Sequence, residues 1–342
     1  MSWRYFILIL GAAVIARGAE VKSAPLKVPS KPDITVAADG SGNFTSVQAA
    51  VTSVAKTNAQ RVVIFVKNGI YHEKVRVDAG SITIRGESRK GTRIEFPQLN
   101  EDYNKNPDKI GRAVLNVYGD GFILENLTVE NTAGQIGPHA MALYGEADRM
   151  IVRDCDVLSD GADTVSPWLG QSGRYYLTGC NFRGSVDFVC PRGWCYISDS
   201  TFHEMKATAA VWHDGRKDRD MKFVMRNCKF DGTNGWNLAR HHVDAQFYFL
   251  DCKFSKTMND RAPFRVIYPL NGAAPNEAEI KKNRELDLEN LWGERSYFHN
   301  CHRDGGDYAW MTNNLSSAVG SPKPEEITPA WTFSGKWDPE KP

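Results

Sequence analysis

The chain has 342 residues, 42% of them hydrophobic, enough for a sizeable core in one large domain or two ordinary ones. Its net charge is +1 and no basic run carries interleaved aromatics, which argues against a nucleic-acid or anionic-membrane surface. A polyanionic partner must then be met locally, by a few placed groups.

The first residues read as a targeting segment. Arg4 supplies a positive start, and Phe6 to Ile15 is apolar but too short for a comfortable membrane span. Small residues follow at Ala16 and Gly18. We expect a signal peptide over 1–19, a flexible lead-in over 20–32, and one domain over 33–342. The mature protein is expected to be a secreted or periplasmic monomer without further membrane contact.

Ile34-Thr35-Val36-Ala37 predicts a short strand and Asp39 to Asn43 a turn. Thr45-Ser46-Val47-Gln48 fits a capping box with Gln48 at the third helical position. Val47, Ala50, Val51 and Val54 have helical spacing, so a capping helix is predicted over 46–55. Helical signal then nearly vanishes until about residue 276.

A repeated short strand takes its place. Ile123-Leu124-Glu125-Asn126-Leu127-Thr128-Val129 recurs, with drift at the ends, as Ile151 to Val157, Tyr176 to Phe182, Tyr196 to Phe202, Val224 to Phe230, Tyr248 to Phe254 and Tyr297 to Arg303. Strands at a period of about 25 without helices between them predict an all-β chain wound as a parallel β-helix. Five of the seven cysteines (Cys155, Cys180, Cys228, Cys252 and Cys301) share the fifth position of the repeat. They are expected to form one inward row of reduced thiols. Cys190 and Cys195 lie off the row, around Pro191-Arg192-Gly193, and a bond between them stays open.

Residues 275–292 read as a charged, partly helical insertion with a solvated face, and 316–329 as an extended strap. Trp331, Phe333 and Trp337 are expected to dock over an end or flank of the solenoid.

The chemistry centres on Gly184-Ser185-Val186-Asp187-Phe188. An aspartate inside an apolar run needs a partner, a network or a task. Asp163 and Arg240 are read as converging on Asp187; the plainer alternative is a buried ion pair that only orders a core. Here the chain resembles the pectin methylesterase (pectinesterase) family, from about Ile34 to Phe254 and more loosely beyond. The resemblance rests on Val36 to Phe44, on Gly69-Ile70-Tyr71-His72-Glu73, on Gly119-Asp120-Gly121-Phe122, on Glu130 to Gly134 and on Gly184 to Phe188. It implies a right-handed parallel β-helix of the pectin-lyase-like kind. It also implies hydrolysis of polygalacturonate C6 methyl esters without metal or organic cofactor. Asp187 matches the nucleophile, Asp163 the general acid/base and Arg240 the arginine holding the nucleophile.

The departures fall on the oxyanion donors. His139 stands where the family has one glutamine, Ala162 where it has the other, and His242 where a tryptophan is expected. His139 either donates to the oxyanion or is a polar wall residue. Trp168, Tyr175, Trp194 and Trp212 are weighed as a sugar-stacking cleft against packing between loops. Arg216 and His242 are further substrate contacts, with Arg216 placed to meet a galacturonate carboxylate. His139, His241 and His242 do not have the spacing of a metal site. The expected function is pectin demethylesterification. The alternatives are a polysaccharide-binding relative without efficient turnover and an esterase for another ester.

Overall fold

A computed structural model describes residues 31–58, 60–215, 218–270, 272–315 and 321–341. The signal peptide, nearly all of the lead-in, Arg216 and the first part of the strap lie outside the described residues.

The chain winds as a right-handed β-helix with three parallel faces. One is a ten-stranded sheet running from Ile34–Val36 to Glu294–His299, and a second is a nine-stranded sheet from Gly69–His72 to His302–Arg303. The third face is in two pieces. Four strands end at Val165–Pro167, three begin at Ala209–Trp212, and Val189 joins them through parallel bridges to Val165 and Val211. That joint is two residues beyond Asp187.

Each repeat predicted as one strand is two strands around a corner. Ile123–Glu125 lies in the ten-stranded sheet and Thr128–Asn131 in the nine-stranded one. Asn126 between them has φ 57°, and Asp154, Gly179, Asp199, Asn227, Asp251 and Asn300 repeat that left-handed turn. Asn, Asp and Gly tolerate this region best, which explains the polar fourth position of the repeat. The next residue then points inward. Leu127, Cys155, Cys180, Ser200, Cys228, Cys252 and Cys301 are all buried there. The five row cysteines carry free thiols, as expected. Several hydrogen-bond to a carbonyl of the preceding coil: Cys252 Sγ to Met225 O at 3.4 Å and Cys301 Sγ to Phe249 O at 3.2 Å. Cys190 and Cys195 are free and buried as well. Above the row, Phe182, Phe202, Phe230 and Phe254 stack in register, with centroids 5.2, 4.2 and 5.3 Å apart.

The first helix is shorter than predicted and its cap is one residue later. It spans Val47–Thr52 with Ser46 as N-cap, accepting from Ala49 N. Gln48 does not close a capping box; its side chain accepts from Arg76 N. Glu73 supplies what the box lacks, accepting from Val47 N at 2.7 Å and Gln48 N at 2.9 Å. A carboxylate at a helix N-terminus satisfies free N–H groups and the dipole together. A second helix, Asn100–Lys105, has no buried residue and left no periodic signal in the sequence.

The insertion is a helix, Glu277–Glu289, with an Asn276–Glu279 capping box. Its charges are not all a solvated face: Asp287 pairs with Arg265 at 2.6 Å, and Lys282 Nζ sits 3.6 Å from the centre of the Tyr268 ring. At the C-terminus, Trp331, Phe333 and Trp337 pack on the outer flank of the ten-stranded sheet, beside Tyr176, Tyr196 and Tyr248. Among the described residues no helix is long and apolar enough to cross a membrane.

Candidate active site

The third face builds the site. Val165 pairs with Val189, so Asp163 and Asp187, two residues earlier on each coil, stand side by side. Arg240 lies on Asn237–His241, paired with Trp212 of the neighbouring strand. His139 bridges to Ala162, so the two positions that depart from the family pattern are stacked on adjacent coils.

Local backbone turns both carboxylates out of the barrel. Asp163, Val186 and Asp187 have φ of 58°, 46° and 57°. Such positions cost on the order of 1–3 kcal/mol each, most for a β-branched residue, and persist only where surroundings hold them. Gly184 lets the chain approach closely, because a Cβ there would lie 2.3 Å from Thr164 Oγ1 and 2.4 Å from Phe188 Cβ. Val186 N donates to Thr208 Oγ1 at 3.2 Å and to Glu204 Oε1 at 3.3 Å.

Arg240 grips Asp187 bidentately, Nε to Oδ1 at 2.8 Å and Nη2 to Oδ2 at 2.6 Å. Burial raises the Asp187 pKa and the guanidinium opposes the rise. Asp163 has no such clamp. It is pushed up to about 6, by burial first, with His139 and a Cys190 hydrogen bond opposing and the Asp187 charge adding. His139 Nε2 is 3.5 Å from Asp163 Oδ2, with over half its side chain exposed. The site thus holds one carboxylate fixed by a cation and another poised to carry a proton.

These groups line a hollow of about 260 Å³ with Trp168, Trp212, Arg192, His242, Tyr268 and Leu270. Trp212 Nε1 donates to His242 Nδ1 at 3.0 Å, which makes the other ring nitrogen the N–H that faces Tyr268 Oη at 3.0 Å. Burial, then the Arg240 charge, depresses His242 to about 4, so it is neutral there. The structure therefore brings together Asp187, Asp163, Arg240, His139, Trp168, Trp212 and His242.

Two expected cleft residues lie elsewhere. Tyr175 is fully buried; its hydroxyl accepts from Leu169 N at 2.8 Å and donates to Arg192 O at 3.4 Å. It buttresses a turn and offers no face to a sugar. Trp194 is buried toward the outer flank, its ring under Lys222. Aromatic residues near a motif in sequence alternate between faces of a strand, so proximity alone misassigned them.

Several residues of the site were not singled out from sequence, among them Tyr268, Arg192 and Glu204. Arg192 was read only as part of a turn. Glu204 is wholly buried on the inward face of Thr201–Glu204, directly under the Asp187 turn. Its signal was a charged residue in phase with the inward Phe202. Burial drives its pKa up to about 9, so it is a neutral acid at physiological pH.

A parallel β-helix with paired aspartates and a clamping arginine on its third face is the class of architecture that this fold and site define. Within it, the Pectinesterase family model matches residues 33–258, and the chain belongs to that family. It is 29% identical over 209 residues to a pectinesterase of Petunia integrifolia, covering 58% of this chain and 54% of that protein. It is 32% identical over 187 residues to probable pectinesterase 56 of Arabidopsis thaliana, covering 54% of this chain and 62% of that protein. The chain thus spans under two thirds of the length of these relatives. Among solved structures, pectin methylesterase from carrot superposes with a TM-score of 0.65 at 19% identity, covering 83% of this chain and 86% of that one. A pectin methylesterase in complex with a hexasaccharide superposes with a TM-score of 0.70 at 17% identity, covering 91% and 99%.

Proposed function

We propose that the chain is a carboxylic ester hydrolase that removes C6 methyl esters from polygalacturonate. The observation that carries this reading is the asymmetry of the two aspartates: Asp187 held by Arg240, Asp163 unclamped and raised to about 6. An ionised Asp187 oxygen attacks the ester carbonyl. Asp163 gives its proton to the departing methoxide, and methanol leaves an acyl anhydride on Asp187. The Asp163 carboxylate then takes a proton from water, the hydroxide adds to the substrate acyl carbon, and Asp187 is released. His139, whose Nε2 lies 3.5 Å from Asp163 Oδ2, takes the role of the missing glutamines at the oxyanion. Trp168 and Trp212 frame the sugar, with His242 supporting Trp212. No metal or organic cofactor enters these steps.

The partner is then a pectin-like polyuronate, met by a monomer folded as one domain over 33–342. The reading includes export, which rests on the apolar stretch from Phe6 to Ile15. A second reading, a polysaccharide-binding relative without efficient turnover, is favoured by Ala162, whose side chain has no donor to offer. Methanol release from methyl-esterified pectin by the purified protein tests the choice, with Asp187→Asn as the blank. Release that depends on Asp187 supports the esterase. Polymer binding without release supports the second reading, and release only from a different ester would assign a different substrate.

A further inference from the structure

Three segments, Asn43-Phe44-Thr45, Asn126-Leu127-Thr128 and Asn314-Leu315-Ser316, have the Asn-x-Ser/Thr form that N-glycosylation requires. The form alone does not separate them. The folded chain does, through the bonds each asparagine amide already makes.

Asn126 is spent on the coil. It sits in a left-handed corner at φ 57°, and its Nδ2 donates to Gly86 O at 2.9 Å and Glu87 O at 3.2 Å on the coil before. Thr128 is buried, its hydroxyl donating to Arg89 O at 2.8 Å. Asn314 ties the end of the chain to the last strand of the ten-stranded sheet. Its Nδ2 donates to Ser296 O at 2.9 Å and its Oδ1 accepts from Phe298 N at 2.8 Å. A sugar on either nitrogen displaces a bond that holds the solenoid together.

Asn43 differs. It is exposed, and its Oδ1 accepts from Thr35 N at 2.8 Å while its own N–H donates to Thr35 O at 2.7 Å. Only the amide oxygen can accept from an N–H, so the orientation of the group is fixed. Among the described residues Nδ2 then has no partner. Asn43 is thus held along the outer edge of Ile34–Val36, the end strand of the ten-stranded sheet. Thr45 is exposed as well.

We propose that Asn43 is an N-glycosylation site and that Asn126 and Asn314 stay unmodified. Asn43 Nδ2 bonds to the anomeric carbon of a lipid diphosphate-linked oligosaccharide. The bond from that carbon to the phosphate oxygen breaks, its electron pair leaves with the lipid diphosphate, and the nitrogen gives up one proton. The glycan adds to the cover of an open sheet edge. The coil that carries Asp163 begins with Met150–Arg153, four strands further along the sheet, roughly 20 Å at the spacing of neighbouring strands. The cleft therefore stays clear. This inference rests on the export reading.

The test produces the full chain in an insect-cell secretory host. The secreted protein is treated with peptide N-glycosidase F in heavy-oxygen water, which marks each released asparagine, and its peptides are mapped by mass spectrometry. The mark is expected at Asn43 and not at Asn126 or Asn314. Thr45→Ala leaves the Asn43 bonds to Thr35 in place, so it should be secreted at the mass of the bare chain. An unmarked Asn43 in the secreted wild type overturns the proposal. A mark on Asn126 or Asn314 overturns the selection by the fold. Retention of the chain inside the cells refutes export instead. The mapping is then repeated behind a leader of the host, where a marked Asn43 sustains the site and an unmarked one overturns it.

Discussion

Asp163 and Asp187 occupy the same place on successive coils, each two residues ahead of a valine, and those valines, Val165 and Val189, are paired in parallel. Only Asp187 is gripped by Arg240, with both oxygens engaged at 2.8 and 2.6 Å. The coil repeat therefore sets the two carboxylates side by side and the arginine makes them different. Asp187→Asn should remove turnover, because an amide is no nucleophile, while leaving polymer binding and the circular dichroism spectrum unchanged. Methanol release near the wild-type rate in this variant would move the nucleophile elsewhere.

The pH dependence follows from the same asymmetry. Asp163 must be protonated to act on the leaving group, and its pKa is raised to about 6. As pH rises through that value the proton is lost, so kcat/KM should fall on the alkaline side. On the acid side activity should rise as Asp187 ionises. A profile flat from about pH 5 to 8 would rule out Asp163 as the acid of the free enzyme.

In the proposed mechanism His139 carries the weight of the missing amides. His139→Ala should lower kcat on the order of 10²-fold with little change in KM, as for a contact made mainly in the transition state. His139→Gln should keep or raise turnover. An Ala variant equal to wild type would make His139 a wall residue, and the gain of activity only in a His139→Gln, Ala162→Gln double variant would mark a binding relative.

Glu204 should write itself into stability. Its folded pKa, about 9, lies above its ordinary value of 4.5, so the folded chain keeps a proton that the unfolded chain gives up. The associated stability is complete below about 4.5 and is lost as pH rises toward about 9. Denaturant titrations of Glu204→Gln should show a flatter decline over that window, because a neutral amide still accepts from Val186 N. Glu204→Ala should destabilise the chain at all pH values and lower kcat, since it frees the Asp187 turn. A wild-type stability that does not decline over the window would mean that Glu204 is ionised in place.

The row of cysteines makes a separate prediction. Mass spectrometry of unreduced peptides should find Cys155, Cys180, Cys228, Cys252 and Cys301 unlinked, in line with buried thiols bonded to carbonyls of the coil before. A bond joining any two would require the inward row to turn along the axis.

The sequence by itself determined the coil. A polar residue followed by a small apolar one recurs because a left-handed corner must be followed by an inward side chain, and both demands are local. It also placed Asp163, Asp187, Arg240 and His139 by motif. Tertiary structure decided what periodicity cannot carry. Whether an aromatic faces cleft or core depends on how neighbouring coils stack, which is why Tyr175 proved a buttress and Trp212 a wall of the site. Glu73, 26 residues from Val47, caps a helix whose own sequence suggested a different cap. Arg192, read from sequence as part of a turn, meets Trp168 and Trp212 from two other coils only in the folded chain. Contact of that kind is written in distances between coils, and a one-dimensional pattern holds only the order of residues along them.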